Sequence, residues 1–224
     1  MTATGETSGP MALRDPDVRL MLRVRADEPG AFAELVGQFQ HRLVAVMHHL
    51  VGDAAEAEDL AQEVFFRVYR ARKKYHPQSK FSTWLFTIAN NLARNSLRSR
   101  QRKPVSPLVA GASESSGPQE QVVKDHRSGP MQKVQRKELA ALIQEALAGL
   151  SERQRVAVIL NKFEDMSYLE IAEVMGLTAK AVKSLLSRAR VNLRAALAPY
   201  VYMDGAPALP EADDETGGSS EVEP

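Results

Sequence analysis

Apolar residues recur at helical spacing along most of this chain, and nowhere do they alternate with polar residues in the two-residue period of a strand. Phe32, Leu35, Val36, Phe39, Leu43, Val46, Met47 and Leu50 predict a helix from Gly30 to Val51, which Gly52 stops. Asp53 is placed to cap the next helix, and Glu56 and Glu58 suit its positive N-terminal end. Leu60, Val64, Val68 and Tyr69 continue that helix's expected buried stripe. A loop from Lys73 to Thr83, holding Pro77, leads to a third helix from about Thr83 to Arg100. Farther on, Leu139, Leu142, Ile143, Ala146 and Leu147 mark another helix. Ser151 with Gln154 forms a capping box that opens a helix to about Phe163, and Ser167 with Glu170 forms a second. The expected fold class is all-α.

The pattern breaks between Pro104 and Pro130. Twelve of those 27 residues are Pro, Gly or Ser, with almost no apolar periodicity. Such a composition buries too little surface to offset the entropy of ordering, which predicts a flexible linker. The chain thus divides into a small, polar, disordered leader (1–15), a helical domain (16–103), the linker (104–130), a second helical domain (131–198) ending in a helix-turn-helix, and an acidic, disordered tail (199–224).

Charge sharpens this picture. The net charge of +1 conceals an uneven distribution. After Pro199 there are seven acids and no Lys or Arg, so the 29 basic residues of the chain face 21 acids before that point, a balance of +8. The tail is then either a cover for basic surface or a solubilising extension. From Val64 to Lys103 forty residues pass without Asp or Glu, while eleven Lys and Arg and seven aromatics fall in the same window. Uncompensated cations among aromatics suit a polyanion whose bases can stack, as single-stranded nucleic acid does. Just upstream, Leu43 to Phe66 reverses the sign, with five acids and no Lys or Arg. The chain has no cysteine, which excludes disulfides and thiolate metal sites. No apolar run approaches a membrane span, and the first ten residues lack a secretory pattern. A cytoplasmic protein without membrane insertion is expected.

Two segments carry candidate chemistry. In Tyr168–Arg190, Ala172 is small where two helices would cross, Gly176 permits a positive φ in a tight turn, and Val182 plugs the second helix onto the first. At about 100° per residue, Val182, Leu185, Leu186, Ala189 and Leu193 share one face of that second helix. Lys180, Lys183, Ser184, Ser187, Arg190 and Arg194 share the other, with Arg188 at its flank, which suits a recognition helix in a major groove. A solvated stripe on a helical bundle is the plainer alternative. The helix from Trp84 sorts similarly: Trp84, Leu85, Ile88, Ala89 and Leu92 on one arc, and Thr87, Asn90, Asn91, Arg94 and Arg98 on the opposite one, with Asn95 at its edge. Asparagine pairs with base edges and arginine with phosphates. Trp84, Phe65 and Phe81 are expected in the core. Three asparagines within six residues lower helix propensity, which argues for a functional reason. Helix-end electrostatics explain Asp53 and Glu56, but Asp59, Gln62 and Glu63 lie beyond the first turn and suggest a protein partner.

Three stretches taken together, Ala57–Phe65, Phe81–Asn91 and the helix-turn-helix at Tyr168–Arg190, resemble a bacterial extracytoplasmic-function sigma factor. The resemblance covers about 16–103 and 131–198, in the family's order. It implies that Asp59, Gln62 and Glu63 dock on the clamp coiled coil of core RNA polymerase. It implies that Lys80, Asn90, Asn91, Arg94, Asn95 and Arg98 hold the melted −10 element and capture a flipped base. It implies that Lys180, Lys183, Ser184, Ser187, Arg188 and Arg190 read the −35 duplex of promoter DNA. An anti-sigma factor is a further partner the resemblance suggests. Leu185 departs from it, standing where many relatives carry a basic residue, so fewer −35 contacts are expected.

Two alternatives compete with this reading. A stand-alone helix-turn-helix regulator would need a dimer to read two half-sites, and leaves Val64–Lys103 unexplained. An enzyme acting on DNA would need a nucleophile with basic partners or a carboxylate cluster for metal ions. The five histidines are scattered, His48-His49 lacks metal-ligand spacing, and no cofactor or enzymatic activity is expected.

Overall fold

The computed structural model describes residues 14–102 and 130–201. The expected leader up to residue 13, nearly all of the expected linker and the tail beyond residue 201 lie outside the described residues. Among those described, eight α-helices and one 3-10 turn occur and no strand does.

The first helix, α1 (Pro16–Arg25), falls where periodicity predicts none. Its signal is in its start. Asp15 accepts a hydrogen bond from the Asp17 backbone N–H at 2.9 Å, and Pro16 fits the first position, where its missing N–H is not needed. Val18, Leu20, Met21 and Val24 are buried, but within ten residues they lie too close together to show a period.

The next helices follow the expected boundaries. α2 (Ala31–Val51) ends at Gly52, which adopts φ +80° and donates its N–H to His48 O at 2.8 Å. Asp53 Oδ1 then accepts from the Glu56 N–H at 2.8 Å and opens α3 (Ala54–Ala71). Its buried stripe is Ala57, Ala61, Val64, Phe65 and Val68. Tyr69 corrects the expectation: it lies 42 % exposed, stacked beside Phe32 with ring centroids 4.8 Å apart and under the Arg72 guanidinium at 3.8 Å. One residue past Val68 is about 100° farther round the helix, which carries the ring out of the core.

After the 3-10 turn Arg72–Lys74, α4 (Phe81–Arg102) begins two residues earlier than expected. Phe81 is fully buried and meets Phe39, Tyr75 and Trp84 edge-on or tilted, so packing draws it into the helix. α1 and α3 pack on α2, and α4 packs on both α2 and α3, around Met21, Leu35, Phe39, Leu43, Phe81 and Phe86.

The second group starts with α5 (Pro130–Ala148), followed by α6 (Glu152–Lys162), α7 (Tyr168–Met175) and α8 (Ala179–Val201). Both expected capping boxes form: Ser151 with Gln154 on α6, and Ser167 with Glu170 on α7. Gly176 turns the chain at φ +63°, and Thr178 Oγ1 accepts from the Ala181 N–H at 3.2 Å at the start of α8. Val182 is fully buried and Ala172 nearly so, which is the helix-turn-helix packing expected. α8 runs on past Pro199, so the helical part extends beyond the boundary expected at 198.

The two helical groups touch. α4 lies along α7, and α2 lies along α6, and the buried apolar cluster is continuous across both groups. This contact positions several of the residues considered next.

Candidate nucleic-acid and polymerase interface

Three surfaces carry the sequence-predicted site residues. The first is the outer side of α3. Asp59, Gln62 and Glu63 are all exposed, because the opposite stripe of the helix is held in the core. Glu63 accepts from Arg67 Nε at 2.8 Å, one turn on. Phe66 continues the same stripe and is 62 % exposed, the largest bare aromatic surface among the described residues. Carboxylates repel a polyanion, so this face, with its bare apolar ring, does not suit nucleic acid. Helical spacing from Asp59 through Gln62 to Phe66 was a usable signal for that ring. Glu56, in contrast, is turned inward and engaged by Ser96 and Arg100 of α4, so it braces two helices.

The second surface is α4 and the loop before it, and here the six predicted residues separate. Asn91, Asn95 and Arg98 are exposed. Asn90 is not: it is 5 % exposed, corrects the expected solvent-facing arc, and points its Nδ2 at Val174 O of α7 at 3.5 Å, while its Oδ1 has no partner. The cause is tertiary, since α7 covers this part of α4. Arg94 is half-buried and donates Nε to Glu152 Oε1 at 3.1 Å. Lys80 Nζ pairs with Glu170 Oε1 at 2.8 Å, which raises the lysine above its ordinary range. Burial pushes the Glu170 carboxyl upward, but Lys80 and the Ser167 cap together hold it below the usual range. Trp84, Phe65 and Phe81 are core or largely core, as expected.

Other links cross the same boundary. Ser79 Oγ donates to Glu173 Oε1 at 2.8 Å. Arg42 pairs with Glu164, whose side chain is 3 % exposed; burial pushes that carboxyl up, with Arg42 opposing. His49 Nδ1 meets Gln144 Oε1 at 2.7 Å and its ring stacks on Phe163 at 4.4 Å, so this histidine is structural. Arg155 donates to Leu50 O of α2 and to Leu147 O and Ala148 O of α5, tying the ends of two helices to α6. Between α4 and α6 a cavity of about 160 Å³ remains, lined among others by Asn90, Arg94, Glu152 and Arg155.

The third surface is the outward face of α8. Lys180, Lys183, Ser184, Ser187, Arg188 and Arg190 are all exposed, and none makes a side-chain hydrogen bond or ion pair among the described residues. Val182, Leu186 and Ala189 are buried on the reverse face, with Leu185 and Leu193 partly so. The departure noted at Leu185 is thus a residue turned toward its own domain. No group of three or more His, Cys, Asp or Glu able to hold a metal occurs among the described residues, and none of their helices is long and apolar enough to cross a membrane.

Comparison with known proteins matches residues 35–103 to the family model described as sigma-70 region 2, and residues 140–193 to sigma-70 region 4. The RNA polymerase sigma-H factor of Pseudomonas aeruginosa is 35 % identical, the match covering 85 % of this chain and 98 % of that protein. The ECF RNA polymerase sigma factor SigW of Bacillus subtilis is 32 % identical over 77 % of this chain and 91 % of that one. The fold is shared with the sigma factor RpoE of Bartonella quintana, solved in complex with the anti-sigma factor NepR, at a TM-score of 0.56 and 23 % identity, covering 75 % of this chain and 98 % of that one. Matches to both sigma-70 regions in order, on relatives spanned almost end to end, establish that this chain belongs to the extracytoplasmic-function group of RNA polymerase sigma factors.

Proposed function

We propose that this protein binds core RNA polymerase, directs it to a promoter, and assists melting of the −10 element so that transcription starts there. The exposed stripe of α3, Asp59, Gln62 and Glu63 with Phe66 alongside, is the surface for the polymerase clamp coiled coil. Asn91, Asn95 and Arg98 of α4 receive the single strand at the −10 element, the amides facing bases and the arginine facing phosphate. Lys80, Asn90 and Arg94 join them once their contacts to the second helical group are released. The face of α8 from Lys180 to Arg190 enters the major groove at the −35 element. An anti-sigma protein is a further partner on this reading, and the cytoplasm, where polymerase works, is the site of action.

The observation that carries the reading is the coexistence of two unlike nucleic-acid faces on one chain. An exposed cationic face on α8 suits duplex DNA. An amide-rich helix in the first helical group suits a strand with its bases turned out. A regulator that reads duplex alone has no use for the second face.

The deciding experiment is transcription by purified bacterial core polymerase with and without the protein, on genomic fragments of the source organism. Discrete new transcripts, absent with core alone, are expected, and mapping their starts identifies the promoter. A protein that binds duplex DNA but neither binds core nor yields transcripts is a stand-alone regulator instead.

A further inference from the structure

The cavity of about 160 Å³ between α4 and α6 has a lining that is not balanced in charge. Leu50, Ala93 and Val156 give it apolar walls, and Arg94, Glu152 and Arg155 meet at it. Two guanidiniums stand there against one carboxylate. Arg153, exposed on the first turn of α6, adds a third cation at a smaller adjoining void that Arg94 and Glu152 also line. The hydrogen bonds are unbalanced in the same sense. A guanidinium has five N–H donors and no acceptor. Arg155 directs its donors to four carbonyls, those of Leu50, Leu147, Ala148 and Leu150. Carbonyls satisfy its hydrogens without neutralising its charge, and burial holds this guanidinium below its ordinary value, with Glu152 opposing. Arg94 commits only Nε, to Glu152 Oε1 at 3.1 Å, and its two Nη groups have no partner among the described residues. Unmatched donors and unmatched positive charge beside apolar walls suit a compact ligand that is anionic and accepts on several oxygens.

The geometry points to a binding site for a small oxyanion, a phosphate ion or the phosphoryl end of a phosphomonoester, held between Arg94 of α4 and Arg155 of α6. The space is sufficient: an engineered cavity of about 150 Å³ admits benzene, a larger body than a phosphate ion. The planar fork of arginine matches phosphate oxygens in pairs, which a lone ammonium cannot do. Glu152 is the group that the ligand opposes. An oxyanion seated here shares Arg94 with that carboxylate or takes it over, and supplies the counter-charge that the carbonyls around Arg155 do not. The site follows from the cavity and its donors and does not rest on the promoter surfaces. Arg94 belongs to both, so where a DNA strand uses it, strand and oxyanion compete for one guanidinium.

The test titrates the full chain with inorganic phosphate, at an ionic strength held constant with chloride, by isothermal titration calorimetry with thermal unfolding alongside. Ala93→Leu fills the cavity without touching a charge, at a position that is 2 % exposed. Arg94→Gln removes a cation from the lining at a half-buried position. Arg19→Gln, exposed on α1, removes the same charge away from the cavity. Wild type and Arg19→Gln should bind one phosphate per chain. Their unfolding midpoints should rise by about 2–5 °C at a concentration about tenfold above the dissociation constant. Ala93→Leu and Arg94→Gln should each bind at least about tenfold more weakly. Glycerol phosphate, titrated in the same way, separates the two sources: weaker binding than phosphate assigns the bare ion, equal or tighter binding assigns a phosphomonoester, and both keep the site. Absence of saturable binding to the wild type overturns the proposal. Binding that persists in both cavity variants, or that falls equally in Arg19→Gln, also overturns it, because surface charge then accounts for the ion. If Ala93→Leu fails to fold, Arg94→Gln measured against Arg19→Gln decides alone.

Discussion

Gly176 offers a clean measurement of what the turn of the helix-turn-helix requires. It sits at φ +63°, ψ +42°, and its N–H donates to the end of α7 through Ala172 O and Glu173 O. A Cβ placed on it would meet nothing within 4 Å. Replacement by alanine therefore keeps the backbone bonds and adds no collision, leaving the left-handed backbone itself as the penalty, about 1–2 kcal/mol for an L-residue. Alanine also narrows the unfolded ensemble, which moves stability the opposite way by about 0.4–1 kcal/mol. The net expectation is a loss of about 1 kcal/mol for Gly176→Ala, less for Gly176→Asn, whose side chain tolerates this region, and more for β-branched Gly176→Val. Urea unfolding followed by circular dichroism should give midpoints in the order wild type, Asn, Ala, Val, with the slope unchanged. Duplex binding by the folded alanine variant should stay near wild type, because the cationic face lies on α8. A loss above about 4 kcal/mol for alanine would refute the reasoning, since values that large belong to collisions or broken packing. Equal midpoints for all four proteins would refute it from the other side.

Other expectations follow from particular contacts. Phe39→Ala empties a fully buried ring position against Phe81 and should destabilise the first helical group by about 3–5 kcal/mol in equilibrium unfolding, whereas Tyr69→Ala, at an exposed ring, should shift it far less. Ser151→Ala removes one half of a capping box and should lower stability by about 1 kcal/mol, read by the same assay. Lys73 and Arg72 hold the Asp27 carboxyl below its ordinary value of 3.8, so its contribution to stability is present above that value and is lost as pH falls through the lower, folded-state one. Carbon-13 NMR titration should find the Asp27 midpoint depressed, and Arg72→Ala should move it back upward. Lys183→Ala with Arg188→Ala should weaken −35-dependent initiation and reduce the salt dependence of duplex binding while leaving core polymerase binding intact. Asp59→Arg should remove core binding and leave weak DNA affinity; identical defects in the two proteins would mean that the surfaces are misassigned.

Much of the fold is legible in the order of the amino acids. The signals at Gly52, Asp53, Ser151, Ser167 and Gly176 each act within four residues of chain, and all five take effect at the expected positions. The departures have one character. α1 escapes a reading by periodicity because a short buried helix has too few turns to display a period. The early start of α4 and the outward turn of Tyr69 depend on which ring meets Phe39 or Phe32 across the core. The α8 face predicted by spacing is wholly exposed, since its helix packs by one side only. The α4 face is half occupied, because a second group of helices lies on it.

The helical elements, their caps, the helix-turn-helix and the segregation of acidic, amide-rich and cationic surfaces follow from the order of the amino acids alone. Those properties come from side-chain periodicity and from hydrogen bonds between near neighbours, whose geometry the backbone dictates locally. Which of the charged and polar residues stand free depends instead on long-range packing. Arg94 and Glu152 are 58 positions apart, and Ser79 and Glu173 are 94 apart. Whether such pairs meet depends on how two helical groups pack, a balance of burial against chain entropy to which distant parts of the chain contribute together and which no local pattern encodes.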